Sequence, residues 1–341
     1  MKERYGKKYS KELLKIKSAF YTENDRLVRE AEAINVIYNE QPLRQGCKMC
    51  GHELKGMKCF SSHGVTYYYC EKCHHLNGAH EETAEFCEKI YVEEDYGKSY
   101  HEKDRIAFTQ RTENIYLPKV DFLLENLEQD GMKKEDIHIL DVGAGSGYFV
   151  QAGLNRQIDI SGIEVSDKQV AFGNAMIGEE KLITVPVMKT QEAILNSKCN
   201  IVSMIGVLEH LVDFKEILAA IKANKNIQYM FFSVPLFSYT SIFETVFQKG
   251  YNRHMGAEHT HLFTLDSIHY MNKKYGFQEV AKWQFGTDIM DLYRLLSVYL
   301  EKDNEDLKGI WDEFFLQCVD ELQLILDKSN FCSEVHMLIK K

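Results

Sequence analysis

The sequence predicts an α/β protein, with a mostly parallel sheet carrying helices on both faces and a helical, cysteine-rich segment ahead of it. Three observations predict this. Ile137–Val142 reads as a buried strand that ends at an acid and runs straight into Gly143-Ala144-Gly145-Ser146-Gly147. Strand and helix patterns then alternate to about residue 285, the signature of a parallel sheet. Two Cys-x-x-Cys pairs, Cys47/Cys50 and Cys70/Cys73, have nineteen residues between them.

Composition sets the limits. A chain of 341 residues with 45% hydrophobic content can bury a substantial core. The net charge of −10 argues against a general nucleic-acid binder, whose phosphate contacts need a basic surface. One basic stretch runs through Lys2, Arg4, Lys7, Lys8, Lys11, Lys15 and Lys17. It reads as a solvated helix face rather than a binding patch. No apolar core of a signal peptide follows it, and no apolar run is long enough to span a bilayer. Nine cysteines in such a chain suggest reduced thiols and metal, so a cytoplasmic protein is expected.

Residues 1–45 read as helical, on Leu13, Leu14 and Ile16, then Leu27, Val28 and the Ala31–Ile37 stretch. Pro42 and Gly46 mark the boundary to a ribbon over 46–90. There Cys47, Cys50, Cys70 and Cys73 have the spacing of a tetrahedral zinc site, and Val65–Tyr69 reads as a strand leading into the second pair. Four thiolates leave no open position, so the expected role of Zn2+ is structural. His52, Cys59, His63, His74, His75, His80 and Cys87 lie close enough in sequence to replace one ligand. Residues 91–115 are rich in tyrosine and charge. Tyr100 and Arg111 there are candidates to meet a ligand, with an exposed linker as the plain alternative.

An amphipathic helix over Ile115–Glu128 precedes the first strand of the sheet. After the glycine loop, Asp159–Val165 reads as a second strand ending at Glu164, whose carboxylate can accept both ribose hydroxyls of an adenosine. A dinucleotide loop needs its third glycine one residue later. Tyr148 also fits poorly where a pyrophosphate would meet a helix, which disfavours an NAD enzyme. Asn200–Ile205 reads as a further strand running into Leu208-Glu209-His210-Leu211, and Tyr229–Pro235 as the next. The helix Leu265–Tyr275 is capped by Thr264 and stopped by Gly276. A strand over 277–285, acidic helices over 288–328 and a last strand over 333–340 complete the chain.

The spacing Asp141-x-Gly143-x-Gly145-x-Gly147 resembles the first motif of the class I S-adenosylmethionine-dependent methyltransferases. Glu164, Leu-Glu-His over 208–210, Ser-x-Pro at 233–235 and the segment Glu258-His259-Thr260-His261-Leu262-Phe263-Thr264, which resembles the family's His-x-x-Phe-(Ser/Thr) segment, follow the later motifs in order, over roughly residues 115–285. The resemblance implies a Rossmann-like domain over 91–341, with a final antiparallel strand beside the fifth and a helical insertion over 288–328 that covers the substrate or makes a dimer contact. It implies S-adenosylmethionine held by Asp141, Gly143, Ala144, Gly145, Gly147, Tyr148, Glu164, Val165, Gln191, Ile205 and Gly206.

A zinc-binding segment ahead of such a domain resembles the methyltransferases of nucleotide-linked deoxysugars. Two departures are plain. Only about 55 residues of this sequence follow the strand over 277–285, where those enzymes continue into a further domain, and Gly256 stands where they tend to carry a tyrosine. The expected acceptor is a polar small molecule of sugar type, methylated on a hydroxyl. The expected base is His259 of the Glu258-His259 pair, then His261, then His210 beside Glu209. His259 and His261, two apart, face the same way if the segment is extended. A divalent metal on Glu209, His210 and His259 is the lesser alternative. An RNA or protein acceptor docked by the ribbon is the competing function, and a non-catalytic binding module is disfavoured by the intact loop and Glu164.

Overall fold

The computed structural model describes residues 1–6, 22–90, 105–256 and 259–341. Tyr100, Glu258, the apolar residues 13–16 and the lysines from 7 to 17 lie outside them. The strands are β1 Lys2–Tyr5, β2 Cys59–Ser62, β3 Val65–Tyr69, β4 Leu76–Gly78, β5 His138–Val142, β6 Asp159–Glu164, β7 Leu182–Thr184, β8 Ile201–Ile205, β9 Tyr229–Pro235, β10 His261–Leu262, β11 Gln278–Gln284 and β12 Glu334–Lys340.

Eight of them form one sheet in the order β1-β11-β12-β9-β8-β5-β6-β7. Every pairing is parallel except those of β12, which runs antiparallel between β9 and β11. The last strand therefore inserts beside the fifth strand of the parallel series, as the resemblance implied. Neighbouring residues on each strand face opposite layers. Leu140, Val202, Phe232 and Met337 pack with Phe214, Leu218 and Ile268 on one face. Ile139, Ile160, Phe231 and Leu338 pack with Leu123, Leu127 and Phe149 on the other. A fully buried side chain such as Phe231 contributes about 1.5–3 kcal/mol relative to exposure.

Residues 2–5 correct the helical expectation for the chain's start. They form β1 along the free edge of β11, Lys2 opposite Ala281 and Tyr5 opposite Gln284. Arg4 lies over the rings of Phe122 and Trp283, with its Cζ 5.0 and 5.4 Å from their centroids. The sequence Lys-Glu-Arg-Tyr has no apolar run to announce a strand; the docking edge makes it one. Helix Asn24–Asn39 does form. The acidic region divides into helices Asp288–Asp303 and Glu305–Lys328 at Asn304.

A second, four-stranded antiparallel sheet has the order β10-β4-β3-β2. β10 comes from the later part of the chain and pairs His261 with Asn77. The cysteine-rich segment is thus woven into the larger body. Cys47, Met49, Leu54, Cys70 and Cys73 share one apolar cluster with Val202, Met204 and Phe214. Among the described residues, no helix is long and apolar enough to cross a membrane.

Candidate active site

β5 ends at Val142, and the chain turns at Gly143 with φ +69°. A Cβ there would lie 2.7 Å from Val207 Cγ2, so only glycine lets the loop pass beneath the segment after β8. The amides of Gly143 and Ala144 both donate to Ile163 O on β6, at 2.9 and 3.0 Å. Glu164, at the end of β6, accepts from Gly145 N at 2.8 Å and from Val165 N and Ser166 N at 2.8 and 3.1 Å. The carboxylate is thereby fixed at the sheet's carboxyl edge beside the glycine loop. These are the groups an adenosine-bearing cofactor needs: a backbone without Cβ to lie against, and an oriented acid.

Asp141 sits lower, fully enclosed. Its Oδ1 accepts the Ser203 hydroxyl at 2.6 Å, and burial pushes its carboxyl up to about 7. Tyr148 opens the following helix with its ring stacked between Phe108 and Tyr116, at 4.7 and 5.3 Å between centroids. Arg111 Cζ lies 5.2 Å from the same ring. Gln191 is exposed on helix Thr190–Asn196.

Past β8, Ile205 and Gly206 border a cavity of about 180 Å³ whose other walls include Glu209, His259, Arg253, His254, Lys119, Thr287 and Glu334. Glu209 and His210 lie on a single helical turn, Leu208–His210. The His210 and His259 rings stack at 5.0 Å. Burial pushes the Glu209 carboxyl up to about 8. Burial, with His210 and His254 close by, holds His259 well below the usual histidine range, so it is neutral at pH 7.

His261 is a correction. It does not line this cavity; its Nδ1 meets His75 Nε2 at 2.9 Å, inside the junction of the two sheets. The segment is not extended at His259, where a bend places the amide 3.0 Å from Gly256 O. The two histidines therefore part company. Gly256 itself has φ +104°, and a Cβ would lie 2.3 Å from Asn252 Nδ2, so a tyrosine has no place there.

The sequence reading missed Lys119, Arg253, His254, Thr287 and Glu334 as cavity residues. Their only signal is polar character in segments that the sheet order brings to one edge. It also missed Tyr67 on β3, whose buried hydroxyl accepts from Gly256 N at 2.6 Å and donates to Gly256 O at 3.1 Å. The cysteine-rich unit thus holds the His259 loop. Tyr67→Phe should leave the Gly256 amide unpaired and cost about 1–3 kcal/mol. Urea unfolding checks this, with a lowered midpoint at unchanged slope as the expected result.

The four cysteines meet. Cys47 and Cys73 Sγ are 3.5 Å apart, Cys50 and Cys70 Sγ 3.6 Å, and all four lie within 4.8 Å of one another. Zinc–thiolate bonds of about 2.3 Å in a tetrahedron place sulfurs about 3.8 Å apart, so the set fits the ion. His63, His74, His75 and His80 bond to other groups, and Cys59 and Cys87 are outside the cluster.

Solved structures similar to this chain include a putative sarcosine dimethylglycine methyltransferase from Galdieria sulphuraria, at 13% identity and TM-score 0.43 over 66% of this chain and 86% of that one. Magnesium protoporphyrin IX methyltransferase from Synechocystis PCC 6803, with bound S-adenosylhomocysteine, matches at 12% identity and TM-score 0.45 over 74% and 96%. A cyclopropane synthase from Mycobacterium tuberculosis matches at 15% identity and TM-score 0.42 over 67% and 85%. No curated protein matches the chain. A family model described as a methyltransferase domain matches residues 108–282, just over half of the sequence. From the glycine loop and oriented acid to that match, the observations agree: the chain belongs to the methyltransferase family, as a class I S-adenosylmethionine-dependent enzyme.

Proposed function

We propose that the protein methylates a hydroxyl of a polar small molecule, of sugar or sugar-nucleotide type, in the cavity beside Gly206. The observation that carries this is the polar lining of that cavity. Glu209, His259, Arg253, Lys119 and Thr287 converge there, beside Ile205 and Gly206, which are assigned to the cofactor. Such a lining suits an acceptor rich in hydroxyls and charge rather than an apolar one.

Bound S-adenosylmethionine supplies an activated methyl group on a leaving sulfonium. What the chain must add is alignment and a place for the hydroxyl proton. Glu164 and the backbone of residues 143–147 are assigned to hold the cofactor. Neutral His259, with Glu209 and His210 beside it, is assigned to take the proton. The four cysteines are assigned to structural Zn2+, which keeps residues 46–90 folded and hence the Tyr67 contact to the His259 loop in place.

His259→Asn should lower kcat by about 10²–10⁴-fold while S-adenosylhomocysteine binding stays within a few-fold. The acceptor class is tested by incubating the protein with radiolabelled S-adenosylmethionine in an extract of its native cell and separating by size. Label among small molecules is the expected result. Label in nuclease- or protease-sensitive material would overturn the acceptor class in favour of RNA or protein.

A further inference from the structure

Two buried atoms at the cavity find no hydrogen-bond partner among the described residues: Oε2 of Glu209 and Nδ1 of His259. Glu209 is only 4% exposed. A buried carboxyl oxygen left unpaired costs about 1–3 kcal/mol, so this oxygen calls for a partner, either an ordered water or a bound ion. The two atoms are not isolated. One donor atom each from Glu209, His210 and His259 lies within 4.8 Å of the other two. Metal bonds of about 2.0–2.2 Å hold cis ligands roughly 3 Å apart, a contraction that side-chain rotation can supply.

We propose that Glu209, His210 and His259 form a divalent-cation site whose open coordination positions face the acceptor cavity. Two imidazoles and one carboxylate suit Zn2+, Mn2+, Fe2+ or Co2+ and leave positions for outside oxygens. The four cysteines form a closed, all-sulfur site of different preference, so the two centres select different ions. The cations in the cavity do not oppose this. Arg253 is neutralised by Asp291 at 2.7 Å, and Lys119 lies 3.5 Å from Glu334. Gly206, with φ +70°, lies beside Glu209: a Cβ there would be in ordinary contact with Oε1, at 3.6 Å.

The inference rests on the reading of this cavity as the acceptor site and narrows the acceptor. A molecule with two neighbouring oxygens, such as a vicinal diol or a hydroxyl beside a carboxylate, would chelate the ion. Its bound hydroxyl then loses the O–H proton to water at the cavity mouth, because the cation stabilises the alkoxide. In that form His259 is a ligand rather than the base.

The test is equilibrium dialysis of the full-length protein, zinc-replete, against Mn2+ alone, with S-adenosylhomocysteine binding measured in parallel. One Mn2+ per chain is expected. Glu209→Gln and His259→Asn should each weaken it by about tenfold or more, with S-adenosylhomocysteine affinity little changed. Pulsed EPR of the wild-type Mn2+ complex, which needs no variant, should show coupling to two imidazole nitrogens. No bound Mn2+, binding indifferent to both substitutions, or a spectrum without nitrogen coupling would each overturn the site. Bound Mn2+ with label found only in macromolecules would instead keep the site and overturn the small-molecule reading.

Discussion

Replacing Cys70 by serine is expected to unfold the cysteine-rich unit and to lower the stability of the whole chain. Four thiolates give a structural zinc about 10–16 kcal/mol of binding free energy, and in a unit this small that energy is folding energy. One lost thiolate forfeits a large share of it. The damage should spread because the sulfurs are not peripheral. Cys47, Cys70 and Cys73 are buried in the same cluster as Val202 and Phe214. Each Cys-x-x-Cys turn is also closed by a backbone bond, Gly51 N to Cys47 O at 2.7 Å and His74 N to Cys70 O at 2.8 Å. With the unit loosened, Tyr67 no longer fixes the Gly256 amide. The measurements are zinc content by atomic absorption and a thermal melt, together with methyl transfer. About one zinc lost per chain, a melting temperature lowered by many degrees and falling turnover are expected, and chelation of the wild type should reproduce all three. Unchanged zinc content and melting would remove the ribbon from the account.

Glu164→Ala should weaken S-adenosylhomocysteine binding by about 100-fold. Two hydrogen bonds to a carboxylate, each worth about 1.5 kcal/mol or more, supply a loss of that size. The same substitution takes away the acceptor for Gly145 N, Val165 N and Ser166 N, so the glycine loop loses its brace as well. Glu164→Gln keeps an oxygen for the amides and should fall between the two. Calorimetric titration decides it: a dissociation constant within threefold of wild type for the alanine variant would mean that this acid does not hold the ribose.

Much of the sheet was legible because its strands are short apolar runs stopped by glycine, proline or an acid. Ile137–Val142, Asp159–Val165, Asn200–Ile205 and Tyr229–Pro235 match strands of the large sheet to within one residue at each end. The capped helix Leu265–Tyr275 was legible for the same local reason, since Thr264 and Gly276 act on their own neighbours. β1 was not legible, because Lys-Glu-Arg-Tyr becomes a strand only on meeting the edge of β11. Nor was the fate of His261. Period-2 reasoning put it beside His259, but the bend held by Gly256 and Tyr67 turns one histidine to the cavity and the other to His75.

By itself the sequence determined the class of the fold, the cofactor family and the four sulfurs that meet. Those properties reside in spacings of a few residues, and backbone geometry converts them directly into turns, strand ends and ligand sets. Only the tertiary structure decided which polar residues share a cavity. Lys119, Glu209, Arg253, His259, Thr287 and Glu334 lie up to 215 residues apart, and no local rule links them. They come together because β12 inserts between β9 and β11, and because the small sheet takes β10 as its edge strand. The physical reason is burial. Each sheet must cover its apolar faces and pair its edges, and the polar groups at the strand ends go where that packing carries them.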